Sequence, residues 1–432
     1  MAQIQPFKGF CFRLEKPGDL GAVVAPPYDM IDGPMIDELY AKDASNVVRI
    51  IQNKKQSSDT KNFDRHLRAA GFLKRWTADG TLFQDERPSV YLYKQEFPVS
   101  GARLTRTGVI VLVKLVDYEE GVVFPHEYTL TGPKIDRYEL LQATESHCEL
   151  IFGIVPDEDR RLFSVISSAE TTGCKGRFVD GDGVGHGLYA IDDAPFIASL
   201  KQALSPKTIL IADGHHRYET ALKFYRDTKN PAHAYVMMSL VSMADPGLMI
   251  RAFHRLLKKY PGTEAIDVRA SLSAYFTLED LGAATLELIY EGLKPGSPHE
   301  MVYLDAKSGR GFGLSLSDEG ERYIAEQSRG MSSAWNHLDV SKINSIVIGG
   351  ILGLPLDGKI LHDVFDYVND SSNAFKKEQD RPEGYHGVFF VRPVDIAAVN
   401  AIVSGRERMP QKSTNFFPKC WSGLVMSVMG RP

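Results

Sequence analysis

The sequence predicts a mixed α/β fold: a mixed sheet with flanking helices, joined to a second α/β unit. Three observations lead there. Short runs rich in β-branched and aromatic residues alternate along the chain with segments of helical period. The chain has 432 residues, too many for one ordinary core. In "LIADGHHRYETALKFY" (210–225) an apolar run stops at a polar, glycine-containing turn, and a helical pattern follows directly.

The elements follow in chain order. In "GAVVAPPYDMI", Pro26 and Pro27 force an extended entry and set Tyr28 and Asp29 on a rigid turn. "SNVVRII" (45–51) reads as a short buried strand. Phe63, Leu67, Ala70, Leu73 and Trp76 mark a helix, ended by Asp79-Gly80. "SVYLYKQEF" (89–97) and "RTGVIVLVKLVDY" (106–118) are strands placed to pair. A helix runs from about Ile135 to Thr144, and "ELIFGIVPD" is another strand. "DGDGVGHG" (180–187) is rich in glycine, but it has no lysine and no clear helix after it, so it is not a phosphate loop. Its flanks "GRFVD" and "GLYAID" make it the connection of a hairpin. Helices at 195–204 and 218–226 and a buried strand at 232–243 follow. "HRLLKKY" (254–260) opens a new unit, and "SKINSIVIGGILG" is an apolar helix. The expected division is therefore 1–255 and 256–432, with 405–432 packing back on the first.

Composition excludes several classes. An apolar fraction of 43% and a charged fraction of 24% belong to a globular chain. A net charge of −5 argues against a nucleic-acid binder held by bulk charge. No apolar run is long enough to span a bilayer, and "MAQIQPFKGF" lacks the build of a signal peptide. Cys11, Cys148, Cys174 and Cys420 are far apart with no CxxC pair, which points to free thiols in a cytoplasmic protein.

The turn after Ala212 packs Asp213, His215, His216 and Arg217 around Gly214. Gly214 admits a backbone conformation that side chains resist. A helix start attracts anions, and Arg217 with the two histidines adds donors to it. Asp213 can hold a metal or take a proton. The plain alternative is that Asp213 caps the helix while the histidines satisfy buried backbone groups.

Four further groups carry polar chemistry. "PHEYTLTGPKIDR" gathers His126, Glu127, Thr129, Lys134, Asp136 and Arg137. His126 and Glu127 can ligate Mg²⁺ or Mn²⁺ or relay a proton, and Lys134 and Arg137 can hold phosphate. A polar surface loop is the alternative, and the spacing is not that of a zinc protease. "MPQKSTNFFPK" sets Lys412, Ser413, Thr414 and Lys419 between prolines, one cation and two hydroxyls being a phosphate-binding combination. The alternative is an ordered tail stapled by Phe416, Phe417 and Trp421. For Tyr28-Asp29 a structural turn competes with a site role, and for His254-Arg255 an ion pair with a core acid does.

"DGHHRYETAL" resembles the signature of a bacterial and archaeal family known as domain-of-unknown-function family 1015. "APPYDMI" (25–31), "FPHEYTLTGPKIDR" (124–137), "FHR" (253–255) and "MPQKSTNFFPK" (409–419) resemble that family's blocks in the same order, so the likeness spans nearly the whole chain. More distantly, the strand, glycine turn and "HHR" helix are similar to the nucleotide-binding turn of the ParB/sulfiredoxin superfamily. The free-serine-kinase branch is nearest, its turn also reading D-G-H-H-R. Sulfiredoxin's catalytic cysteine is absent, since His215 stands there. Partition proteins carry Glu-Arg-Arg after the glycine, of which only Arg217 has a counterpart here.

The resemblance implies a nucleotide-dependent phosphoryl-transfer enzyme acting on a small hydroxylated metabolite, free serine or phosphoserine, with ATP or ADP and Mg²⁺ or Mn²⁺. In that reading Gly214, His216 and Arg217 hold phosphates, joined by Lys134, Arg137, Lys412, Ser413, Thr414 and Lys419. Asp213 or Glu127 binds the metal or acts as base, and His215 contacts the phosphoryl group. Two other readings are a nucleotide-gated switch that engages a partner, and a metal-dependent hydrolase built on His126, Glu127 and Asp213.

Overall fold

The computed structural model of the chain describes residues 1–99, 101–127, 132–356 and 358–430, and Thr129 of the second cluster lies outside them. The chain divides into two units. The first comprises 1–125, 129–249 and 418–432, and the second comprises 126–128 and 250–417.

Nine strands among the described residues form one mixed sheet in the first unit. They are β1 (Ile4–Gln5), β2 (Val90–Val99), β3 (Ala102–Lys114), β4 (Val123–Pro125), β5 (Ile151–Val155), β6 (Cys174–Val179), β7 (Gly185–Ile191), β8 (Ile209–Asp213) and β9 (Tyr235–Ser242). Their order is β4-β8-β5-β9-β3-β2-β7-β6, with β1 added on β3. β4–β8 and β5–β9 pair in parallel, and the other pairs are antiparallel. The inner strands β5 and β9 are buried almost throughout, and such strands read as unbroken apolar runs.

Helices α1 (Val48–Ile51), α2 (Asn62–Ala78), α3 (Gly132–Thr144), α4 (Ala194–Leu204) and α5 (His215–Thr228) accompany this sheet. Helix α3 packs against both α2 and α5. The core joins Val109, Val111, Ile151, Leu200, Ile209, Ile211, Tyr218 and Leu240. The closing segment is tied in by Phe10 N–H on the Met426 carbonyl (2.8 Å) and by a mutual pair of backbone bonds between Ala25 and Ser422.

Residues 45–51, expected as a strand, are helical from Val48 to Ile51. Asn46 explains this: its Nδ2 donates to the Ala22 and Val24 carbonyls (2.7 and 3.0 Å), and its Oδ1 accepts the Val48 N–H (2.9 Å). A capping side chain thus starts a buried turn, and a short apolar run alone does not distinguish helix from strand. Strand β3 also stops at Lys114, short of the expected Tyr118.

The second unit holds a six-stranded sheet, made of β10 (His254–Lys258), β11 (Phe276–Ala283), β12 (Met301–Asp305), β13 (Arg310–Leu316), β14 (Phe365–Val368) and β15 (Tyr385–Val391). Their order is β11-β13-β12-β15-β10-β14, with every pair antiparallel. The apolar helix expected near 341–353 is α6 (Asp339–Lys342), continued by Ile343–Ile351 in wider π winding, where Leu352 N–H reaches the Val347 carbonyl at 2.9 Å. Its buried face joins Tyr303, Phe365 and Phe389 in that unit's core. No helix among the described residues is long and apolar enough to cross a membrane.

Candidate functional site

The apolar run of β8 ends at Asp213. Gly214 follows with φ of +92°, and α5 begins at His215. This left-handed step is why glycine stands here: a Cβ at Gly214 would lie 3.0 Å from the Arg217 guanidinium. His215, His216 and Arg217 are the first three residues of a 14-residue helix, where first-turn N–H groups and the helix dipole present positive charge. The helix starts three residues earlier than the expected 218, and Gly214, not Asp213, holds the cap position without a side-chain bond. The Asp213 carboxylate instead faces two cations, with Arg217 Nη2 at 3.3 Å and Lys419 Nζ at 3.8 Å.

Arg217 turns inward. It donates to the Leu150 carbonyl (2.7 Å) and to Asp213, and it approaches Glu149 Oε1 at 3.8 Å. Burial works against its charge, but Glu149, Asp213 and Asp29 more than restore it and hold the guanidinium above its ordinary value. Arg217 Nε and Thr220 Oγ1 are buried with no hydrogen-bond partner, and both residues border a cavity that Glu149 and Arg137 also line.

Arg137 enters the same network from α3. It donates to the Ile51 carbonyl (2.9 Å) and to Glu149 Oε2 (3.1 Å), and its guanidinium stacks over Tyr28 at 4.1 Å. Its side chain is 3% exposed, so Arg137 supports the site from behind and is not an open phosphate arm. Lys134 pairs with Glu219 on α5. Tyr28 N–H donates to Glu149 Oε1 (3.3 Å). Burial, against the pull of Arg217 and Arg137, pushes the Tyr28 phenol up to about 12. Asp29 keeps an exposed edge, yet crowding by protein and then the Asp213 carboxylate raise its carboxyl above the ordinary value, against Arg217 and Lys419.

The first unit therefore brings together Tyr28, Asp29, Arg137, Asp213, Arg217 and Lys419 around Glu149. Glu149 carried no mark in the sequence beyond being one acid ahead of an apolar strand, and Asp29 read as a turn residue.

His126, Glu127, Lys412, Ser413 and Thr414 belong to the second unit and gather there. The Glu127 carboxylate accepts the N–H groups of Lys412 (3.2 Å), Ser413 (3.1 Å) and Thr414 (3.1 Å), and the Thr414 hydroxyl at 3.2 Å. Lys412, at φ of +59°, bends the backbone so that these donors converge. Ser413 Oγ donates to the Pro410 carbonyl (2.6 Å), and buried His126 meets Thr414 Oγ1 through Nε2 at 2.6 Å. The anion grasped by the Lys-Ser-Thr segment is thus the chain's own carboxylate. The sequence offers Glu127 as metal ligand or base and this segment as a phosphate binder, and here the carboxylate and the segment's donors bond to one another. "MPQKSTNFFPK" divides between the units, with Pro418 and Lys419 in the first. Arg255 is fully buried and donates to the Phe253 and Lys412 carbonyls (2.7 and 2.9 Å), which replaces the expected ion pair with a core acid by carbonyl bonds.

Among the described residues no group of three or more His, Cys, Asp or Glu is placed to hold a metal ion. All four cysteines are free.

Among solved structures the chain is similar to a free serine kinase variant in complex with ADP, at 10% identity over 72% of this chain and 87% of that one, with a TM-score of 0.34. It is also similar to a conserved hypothetical protein from Pyrococcus furiosus (12% identity, 72% of this chain, 90% of that one, TM-score 0.33). A third is SbnI with C-terminal truncation from Staphylococcus aureus (10%, 74%, 87%, TM-score 0.35). A search of curated proteins returns no match. The model of the family described as "Protein of unknown function (DUF1015)" matches residues 4–341, and the chain belongs to that family.

Proposed function

We propose that the first unit transfers a phosphoryl group from a nucleotide to the hydroxyl of a small metabolite at the Asp213–Arg217 turn. One observation carries this reading. A strand ends in a carboxylate, a left-handed glycine follows, and a 14-residue helix opens on His215 and His216, with Lys419 3.8 Å from that carboxylate. Backbone donors at a helix start, two imidazoles and a lysine form a phosphate-binding set. The D-G-H-H-R resemblance names ATP or ADP as the nucleotide, free serine as the metabolite and phosphoserine as its product.

The chemistry divides between two carboxylates. Asp29, whose carboxyl is raised by crowding and by Asp213, is the proton acceptor for the attacking hydroxyl. The hydroxyl oxygen bonds to the terminal phosphorus, the bond from that phosphorus to the bridging oxygen breaks, and the nucleotide leaves one phosphate shorter. Asp213 faces two cations, Arg217 and Lys419. A dedicated three-ligand protein site is not needed for Mg²⁺, which takes one or two carboxylates with substrate phosphates and water. Asp213 would hold it, and it would neutralise phosphate charge. Lys419 and the α5 dipole stabilise the charge that moves to the leaving oxygen. Glu149 and Arg137 fix Arg217, which in turn fixes Asp213.

Isothermal titration with ATP, ADP, CTP and phosphoserine, with and without Mg²⁺, tests binding, and phosphoserine formation from ATP and serine tests transfer. Asp213→Asn should cut turnover at least a hundred-fold while the melting temperature moves little. A wild-type chain that binds none of these ligands would remove the proposal.

A further inference from the structure

The hairpin "DGDGVGHG" joins β6 to β7, and it supplies the first two members of a buried polar chain, Asp180 and His186. Asp180 closes the turn: its Oδ1 accepts the N–H groups of Asp182 and Val184 (both 2.9 Å), and its Oδ2 faces His186 Nε2 at 3.0 Å. The other ring nitrogen, Nδ1, lies 2.7 Å from the Tyr93 hydroxyl. That hydroxyl oxygen in turn accepts the N–H of Trp421 at 3.4 Å. The imidazole is clamped between rings, with Phe178 stacked at 4.4 Å and Trp421 at 5.6 Å.

The order of donors is forced. A carboxylate only accepts, so His186 Nε2 carries the hydrogen and Nδ1 is an acceptor. Tyr93 therefore directs its one hydrogen to Nδ1, and an oxygen lone pair remains for Trp421 N–H. Burial lowers the imidazole's affinity for a second proton, with Asp180 opposing and the net below the ordinary value, so the neutral ring this order needs is the stable one. On Asp180 burial works upward, but the bonds from His186 and the turn N–H groups carry the carboxyl below its ordinary value and keep it ionised.

Trp421 is not the only backbone group held this way. Gln95 Nε2 donates to the Lys419 carbonyl (2.8 Å), and fully buried Arg106 donates to the Pro418 carbonyl. Three side chains of the β2–β3 hairpin thus cradle 418–421, and Lys419 projects from that cradle to Asp213.

We propose that His186 is a positioning residue for the candidate site: its Nε2–H tautomer, set by Asp180, orients Tyr93 to receive the Trp421 amide and so holds Lys419 beside Asp213. The proposal rests on Lys419 and Asp213 being part of the phosphate site. Three readouts on the full chain test it. In ¹⁵N-histidine-labelled protein, with His186→Gln to assign the ring, His186 must show a protonated Nε2 and an acceptor-type Nδ1. Tyr93→Phe must speed amide exchange at 419–421 by about five-fold, the loss of one net hydrogen bond, and must weaken ADP binding. An Nδ1–H tautomer in the wild type, or exchange in Tyr93→Phe equal to wild type, overturns the proposal. If the variant fails to fold, the wild-type tautomer still decides. Failure of the function reading looks different: no nucleotide binds the wild type, while tautomer and exchange still report on the relay.

Discussion

Removing the Arg217 guanidinium would strip Glu149 and Asp213 of a shared cation and leave the Leu150 carbonyl without its donor. Breaking such a buried pair from one side costs about 3–5 kcal/mol, so Arg217→Ala should lose that much in urea unfolding. Arg217→Lys should recover only part, because one ammonium cannot serve the carbonyl and both acids in the same plane. A loss under ~1 kcal/mol for the alanine variant would mean the network contributes little. The sequence marked Asp213, Gly214 and Arg217 because strand, turn and helix signals abut there. It did not mark the inward turn of Arg217, since the partner Glu149 is a lone acid in "HCELIFGIV" with no period to announce it. Contacts between residues distant in sequence leave no local trace, and for that reason Arg137 too read as an open phosphate arm.

At the scale of elements, the Lys412–Thr414 segment is shaped by one carboxylate. Glu127→Gln keeps one acceptor oxygen but sets an amide against backbone N–H groups, so the second unit should lose about 1.5–3 kcal/mol. Amide exchange at 412–414 should rise in step, and unchanged exchange there would show that the carboxylate is not what holds the bend. Long periodic elements, such as α2 and the β2–β3 pair, were legible because their patterns repeat over many residues. The seven residues 45–51 were not, because a side-chain cap at Asn46 outweighs the strand propensity of two valines and two isoleucines. The π winding at Ile343–Ile351 likewise has no periodic signature in so short a run.

At the scale of the whole molecule, buried histidines set an acid limit, His147 and His254 among them. Burial pushes His147 in the first unit and His254 in the second each down to about 4, from an ordinary value of 6.5. Above 6.5 both are neutral folded and unfolded, and they leave stability unchanged. Below it the unfolded chain binds protons first, so stability falls progressively from 6.5 to about 4. Thermal melts across that window should show the loss, and His147→Gln and His254→Gln should each flatten it. A melting temperature independent of pH there would contradict the assignment. The alternation of strand and helix signals made the α/β class legible. The passage of 126–128 into the second unit was not, because which body a short polar segment joins depends on partners it meets only after folding.

The central claim is that nucleotide phosphates sit at the start of α5. Titrating ADP into uniformly labelled protein and following backbone amides tests it most directly. The account predicts saturable shifts that are largest at Gly214, His215 and His216, follow one dissociation constant, and are lost or displaced in Gly214→Ala, where the new Cβ meets the Arg217 guanidinium at 3.0 Å. Saturable shifts confined to another part of the chain, or no shift at millimolar ADP with Mg²⁺ present, would contradict it.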